Sequence, residues 1–208
     1  METEPAEEVS CVGCMIGKSG AGKTTLLARL ETQEFVEGIA STLGNAEKLF
    51  TYNDYTIKIL DTAGQEKYDS ITNNFFRQGQ FAILAFDPSD SDFEEQTKHW
   101  YSIAIKYFPI SRIIFVATKF DKWANNEELV NKENLEKLIN KHLKCKVQHL
   151  LMTSSQTGLN LDESYGDQSL LHLISTMIPT LDQPDENYRP IIIGEEKPKS
   201  KKNKCCSA

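Results

Sequence analysis

The chain has 208 residues, 39% of them hydrophobic and 25% charged, and carries a net charge of −7 at pH 7. At roughly 150 residues per domain that is one domain with about thirty to forty residues of tail, large enough to bury a core without disulfides or metal. The acidic balance argues against sequence-independent nucleic-acid binding, the start METEPAEE has the wrong charge for a leader, and no apolar run approaches membrane-spanning length, so a soluble intracellular chain is expected.

Charge is uneven along the chain. Residues 1–10 carry four Glu and no base, whereas residues 195–204 carry five Lys against two Glu, so a mildly acidic body ends in a basic tail. The first apolar run, Val9 to Ile16, has strand length and stops at Gly17-Lys-Ser-Gly-Ala-Gly-Lys-Thr24. Leu26, Leu27 and Leu30 follow at helical spacing, so a helix begins within the glycine loop. Residues 33–46 show no period and read as a loop. Lys48–Tyr52 and Tyr55–Leu60 flank Asn53-Asp54, a hairpin pattern. Phe81–Phe86 and Ile113–Thr118 are nearly continuous apolar runs, as parallel strands covered on both faces require.

Helical periodicity runs from Phe93 to Tyr107 and from Asn131 to Leu143. Val147–Met152 predicts a last strand, and Ser169 to about Ile178 a last helix. This alternation predicts an α/β fold: a doubly wound, mostly parallel six-stranded sheet with one antiparallel strand and about five flanking helices. A flexible acidic N-terminus over residues 1–8, a folded domain over 9–180 and a flexible tail over 181–208 are expected, the tail because Pro, Asp, Glu and Lys take over beyond Pro179.

Three short patterns carry chemistry. Gly17-x-x-x-x-Gly22-Lys23-Thr24 fits a phosphate loop, with a strand before it and a helix after it. Glycines let backbone N–H groups converge on phosphate oxygens at a helix N-terminus. Ser19, Gly20, Ala21, Gly22, Lys23, Thr24 and Thr25 are thus the candidate phosphate contacts, with Lys23 as point charge and the Thr24 hydroxyl as a Mg²⁺ ligand. The plainer reading is a glycine turn followed by a chance Lys-Thr. The second pattern, Asp61-Thr-Ala-Gly64-Gln65, leaves an apolar strand. Asp61 suits a water-mediated Mg²⁺ partner, the Gly64 amide a γ-phosphate contact, and Gln65 the orientation of an attacking water. Alone it also reads as a strand exit. The third, Thr118-Lys119-Phe120-Asp121, places a carboxylate at a strand end. There it can accept two hydrogen bonds from guanine N1–H and the 2-amino group, with the Lys119 stem flat on the base. A surface turn is its plainer reading.

Together these motifs resemble the Ras-like small GTPases, with the Rab branch most similar, over about Val9 to Ile178. Tyr68-Asp-Ser-Ile-Thr and Phe75-Phe76-Arg77 look like the Rab pattern. The resemblance implies that Thr42 is the switch I threonine that ligates Mg²⁺ and closes on the γ-phosphate. It implies that Phe35 packs on the guanine and that Ser154, Ser155 and Gln156 form a base-contacting loop. Switch I (about 35–46) and switch II (about 61–78) would meet an exchange factor, a GTPase-activating protein and effectors. The implied activity is GTP and GDP binding with Mg²⁺ and hydrolysis that is slow without a partner, since no arginine is placed over the γ-phosphate. The implied setting is the cytosolic leaflet of a membrane, in vesicle traffic.

Several positions depart from the family pattern. Thr118 stands where Asn is usual, as in the Rho branch, so a hydroxyl keeps one hydrogen bond and loses the amide's second. Ser155-Gln156 replaces Ala-Lys, and Leu60 replaces the Rab Trp. About six residues within Leu161–Gln168 look inserted. The end, Cys205-Cys206-Ser-Ala208, resembles prenylation motifs. Lipidation of Cys205 and Cys206 by a prenyltransferase, retrieval by a GDP-dissociation inhibitor and membrane anchoring helped by the lysines are implied. A solvated tail is the plainer alternative.

Other features read plainly. Cys11 and Cys14, on a strand, lie about 10 Å apart on opposite faces, too far for a disulfide, and read as core. Asp87-Pro-Ser-Asp-Ser-Asp92 reads as a helix N-cap with first-turn acids rather than a cation site. Trp100 and Trp123 read as packing residues. Two other functions stay open: a guanine-binding module without a hydrolytic cycle, and a small-molecule kinase on the same loop. Asp61-Thr-Ala-Gly-Gln and the scarcity of arginine speak against the kinase.

Overall fold

A computed structural model describes residues 8–39, 46–61 and 76–183. Strand β1 (Cys11–Ile16) runs through the glycine loop into helix α1 (Lys23–Thr32). Strands β2 (Ala46–Tyr52) and β3 (Tyr55–Asp61) form the hairpin about Asn53-Asp54, where Asn53 takes φ 52°. Then follow β4 (Phe81–Phe86), α2 (Phe93–Ala104), β5 (Ile113–Ala117), the single-turn α3 (Phe120–Trp123), α4 (Lys132–Leu143), β6 (His149–Met152) and α5 (Leu170–Leu181). A short 3₁₀ segment, Glu163–Gln168, falls on the apparent insertion.

The strands form one sheet in the order β2-β3-β1-β4-β5-β6, with β2 antiparallel to β3 and the other pairs parallel. The expected doubly wound α/β architecture is therefore present. Strand side chains alternate between two cores. On one face Met15, Ile59, Ile83 and Val116 pack with Leu26 and Leu30 of α1 and Ile174 of α5. On the other Cys14, Leu84 and Phe115 pack with Trp100 of α2 and Leu135 and Ile139 of α4. Cys11 and Cys14 divide between these faces as core residues. Burial pushes the thiol of Cys11 up to about 11 and that of Cys14 to about 12.

Boundaries differ from the sequence reading where side chains override periodicity. Helix α5 passes Pro179 and ends at Leu181, although Pro179 brings no N–H to its last turn. The Arg112 guanidinium donates to Thr180 O and Gln183 O and satisfies carbonyls that end. Strand β6 starts two residues late because Val147 N is taken by Asn140 Oδ1 at 2.7 Å. Asp92 occupies the N-cap position of α2 but does not cap with its side chain. Its carboxylate accepts instead from Lys18 Nζ at 2.8 Å and from Gln96 Nε2.

The register brings the functional segments together. Met15 pairs with Asp61, Ile16 with Leu84, Phe86 with Ala117 and Ala117 with Met152. The glycine loop, Asp61, Thr118–Asp121 and Ser154–Gln156 thus emerge side by side at the carboxyl ends of parallel strands, where α/β sheets place their ligand crevice.

Candidate functional site

The glycine loop is shaped by close approach to β4. Gly17 has φ 138°, and a Cβ there would stand 2.2 Å from Ala85 O, so no side chain fits. Gly22, at φ 87°, caps α1 in the left-handed region, and no side chain blocks the helix start. Ser19 and Gly20 are exposed at the crest of the loop, and Ala21 is buried beneath it. The positive end of α1 therefore faces an open turn of backbone amides.

Lys23 is the first residue of α1 and is only 6% exposed. Its Nζ donates to Gly17 O at 2.8 Å and Lys18 O at 3.0 Å, across the base of the loop. Burial lowers its ammonium to about 8, against the opposing pull of Asp61. Thr24 Oγ1 donates to Asp61 Oδ2 at 2.9 Å, and Asp61, at the end of β3, is 2% exposed. A hydroxyl and a buried carboxylate side by side, both hard oxygen donors, fit a Mg²⁺ site. Thr25 is half-buried on the next position of α1.

The other side of the crevice, expected to face the base, is built from β5, α3 and the loop after β6. Thr118, 3% exposed, donates through Oγ1 to Ala21 O at 2.7 Å, with Phe86 O at 3.0 Å, so this hydroxyl ties the two loops. Lys119 Nζ bonds Gly20 O at 2.8 Å and pairs with Asp87 Oδ2 at 2.8 Å. Burial pushes the Asp87 carboxyl up, but Lys119 and Ser89 outweigh it and hold the group below its ordinary value. Asp121 Oδ1 accepts from Ser154 Oγ at 2.5 Å, and Ser154 is fully buried. Ser155 is half-buried, and Gln156 and Phe35 are exposed.

Thr42, Gly64, Gln65, Cys205 and Cys206 lie outside the described residues, as do residues 40–45 and 62–75 of the two expected switches. The sequence reading missed three partners of the site. Asp87 secures Lys119, Trp123 Nε1 donates to Thr118 O at 2.7 Å, and Arg29 of α1 grips Asp162 through Nε at 2.7 Å and Nη2 at 2.5 Å. Asp87 was detectable, because it leaves a buried parallel strand as Asp61 does. Trp123 and Asp162 carried no comparable mark.

The family model described as Ras family matches residues 13–172. The chain belongs to the Ras family. It is a small GTPase of Rab-like type, binds guanine nucleotide and hydrolyses GTP, which closes the kinase alternative. Ras-related protein Rab-15 of Mus musculus is 32% identical over 156 residues, covering 73% of this chain and 71% of that protein. The GTP-binding protein ypt4 of Schizosaccharomyces pombe is 27% identical over 176 residues, 81% of this chain and 71% of that protein. The GTP-binding protein ypt1 of the same yeast is 27% identical over 158 residues, 73% and 74% of the two chains. Among the described residues no helix is long and apolar enough to cross a membrane.

Proposed function

We propose that this GTPase is a membrane-recruited switch in vesicle traffic, holding GTP or GDP with Mg²⁺ in the crevice at the carboxyl ends of the strands. The observation that carries the reading is the meeting of Lys23, Thr24 and Asp61 from two separate strand ends, beside Asp121 and Ser154. The amides of residues 19–25 and the Lys23 ammonium hold the phosphates. Thr24 and Thr42, with Asp61 through water, hold Mg²⁺, which supplies neutralising charge for the β- and γ-phosphate oxygens when bound. Phe35, Lys119, Asp121, Ser154, Ser155 and Gln156 hold the base, and Thr118 ties the base loop to the phosphate loop.

Gln65 orients a water against the γ-phosphorus, with the Gly64 amide on the γ-phosphate. The bond from that phosphorus to the β-bridging oxygen breaks, leaving GDP and inorganic phosphate with the water's oxygen and protons. No arginine of the described site faces that position, so turnover is slow until a GTPase-activating protein supplies charge. An exchange factor reloads GTP, and effectors bind through the two switches. The domain spans about residues 9–180. The acidic 1–8 and the tail 181–208 flank it, with Cys205 and Cys206 prenylated and a GDP-dissociation inhibitor as carrier.

Denaturing the purified protein and identifying the released nucleotide chromatographically tests the reading. One equivalent of GDP is expected. Adenine nucleotide would overturn it.

A further inference from the structure

We propose that Trp123 is a positioning residue for guanine recognition, its indole N–H fixing the Thr118–Asp121 turn so that Asp121 meets the base squarely. This rests on the reading of Asp121 as the base acceptor.

The turn does not hold itself. Lys119 has φ 55°, a left-handed conformation that a side-chain-bearing residue keeps only when its surroundings impose it. Helix α3 is four residues long, far below the length at which a helix sustains its own shape. Thr118 has a single hydroxyl proton, and Ala21 O at 2.7 Å takes it, so its side chain serves the phosphate loop. The carbonyl of Thr118 is then held from the other side by Trp123 Nε1 at 2.7 Å. Lys122 N closes the turn onto Lys119 O at 2.8 Å, and Phe120 N reaches Thr153 O at 3.0 Å, next to Ser154. The rings of Phe120 and Trp123 meet edge to face at 4.8 Å and 77°.

Trp123 is 3% exposed, so no water competes for its bond. A buried indole does not take such a partner by default in this protein. Trp100, 4% exposed in the same core, leaves its Nε1 without a hydrogen-bond partner among the described residues. The bond at Trp123 is therefore a feature of the base loop rather than of a Trp-filled core. Asp121 lies two residues from Trp123 and carries the load of that alignment. A carboxylate accepting both N1–H and the 2-amino group needs its plane fixed, whereas one accepting N1–H alone tolerates a tilt.

The test compares Trp123→Phe with Trp100→Phe, measuring release of GDP and of inosine diphosphate, whose base lacks the 2-amino group. Trp123→Phe is expected to release GDP about five- to tenfold faster, the scale of one buried hydrogen bond, with inosine diphosphate release nearly unchanged. Trp100→Phe is expected to keep the wild-type ratio of the two. An unchanged ratio in Trp123→Phe overturns the proposal. Equal retention of both nucleotides by the wild type would instead overturn the reading of Asp121. Should Trp123→Phe not fold, solvent exchange of the Trp123 indole N–H in ¹⁵N-labelled wild type decides. By linkage it is slower with GDP than with inosine diphosphate, and equal rates overturn the proposal.

Discussion

The two ends of the proposed nucleotide crevice are held by different means. At the phosphate end the path of the chain is set first by backbone: Gly17 lies against Ala85 O, Gly22 turns left-handed, and α1 starts at once, with Lys23, Thr118 and Lys119 then bonding the loop carbonyls. At the base end it is set by side chains: Ser154 holds Asp121, Trp123 holds Thr118, and Asp87 holds Lys119. A backbone device tolerates few residue types and so leaves a pattern in the sequence. A side-chain device needs only some donor in reach, and the donor can come from anywhere in the chain.

That contrast is open to attack. Gly17→Ala should have the largest effect, costing about 3 kcal/mol or more in urea unfolding, because the new Cβ meets a backbone oxygen of β4. A cost under about 1 kcal/mol would mean that the loop yields and is less rigid than the base end.

Arg29→Ala comes next. The Arg29–Asp162 pair, with side chains 12% and 20% exposed, joins α1 of the phosphate end to the loop that follows Ser154. About 2 kcal/mol of stability should be lost, less than for a fully buried pair. A double-mutant cycle with Asp162→Ala should return a coupling above about 1 kcal/mol. Additive losses would mean that the two ends are built independently.

Ser154→Ala should weaken GDP binding about tenfold, roughly 1.4 kcal/mol, with unfolding little changed, because Asp121 loses its donor. Equal affinity, measured by titration, would move the work of orienting Asp121 elsewhere.

Burial, which lowers the Lys23 ammonium to about 8, makes the phosphate end the pH-sensitive one. Phosphate binding favours the charged form, so GDP affinity should hold below pH 8 and be roughly tenfold weaker one unit above it. Calorimetry in buffers of different ionisation enthalpy should show proton uptake there. The nucleotide-free fold behaves oppositely. Between about 8 and the ordinary 10.5 the unfolded chain binds more protons at Lys23, so stability rises with pH across that window. Proton uptake absent at pH 9 would mean that Lys23 stays charged without phosphate.

The smallest effect is expected of Lys18→Gln. Its pairs with Asp90 and Asp92 are solvent-exposed, and unfolding should not change measurably at physiological salt. A clear loss would add Lys18 to the side chains that tether the phosphate loop, beside Lys23, Thr118 and Lys119.

Much of the fold was legible in the chain. Continuous apolar runs marked β4 and β5, Asn53-Asp54 marked the hairpin, and helical spacing marked α2 and α4. Three errors fell where a side chain from outside the element intervened: Arg112 carrying α5 past Pro179, Asn140 delaying β6, Lys18 drawing Asp92 from its cap; α2 also stops at Ala104, short of the Tyr107 that its spacing suggested. In the candidate site, the placement of Lys23, Thr24 and Asp61 was readable because each follows directly from a strand end or a glycine turn. The roles of Trp123, Asp87 and Asp162 were not, since each depends on a partner 5, 32 or 133 positions away.

By itself the sequence determined the alternation of strands and helices, the phosphate loop and the family, because local backbone geometry and burial periodicity restrict residue choice position by position. Only the tertiary structure decided how the base loop is held. The Asp121 carboxylate is met by Ser154, and Phe120 of the turn by Thr153, from the neighbouring strand end, and sheet register, not local preference, determines that these groups come within about 3 Å.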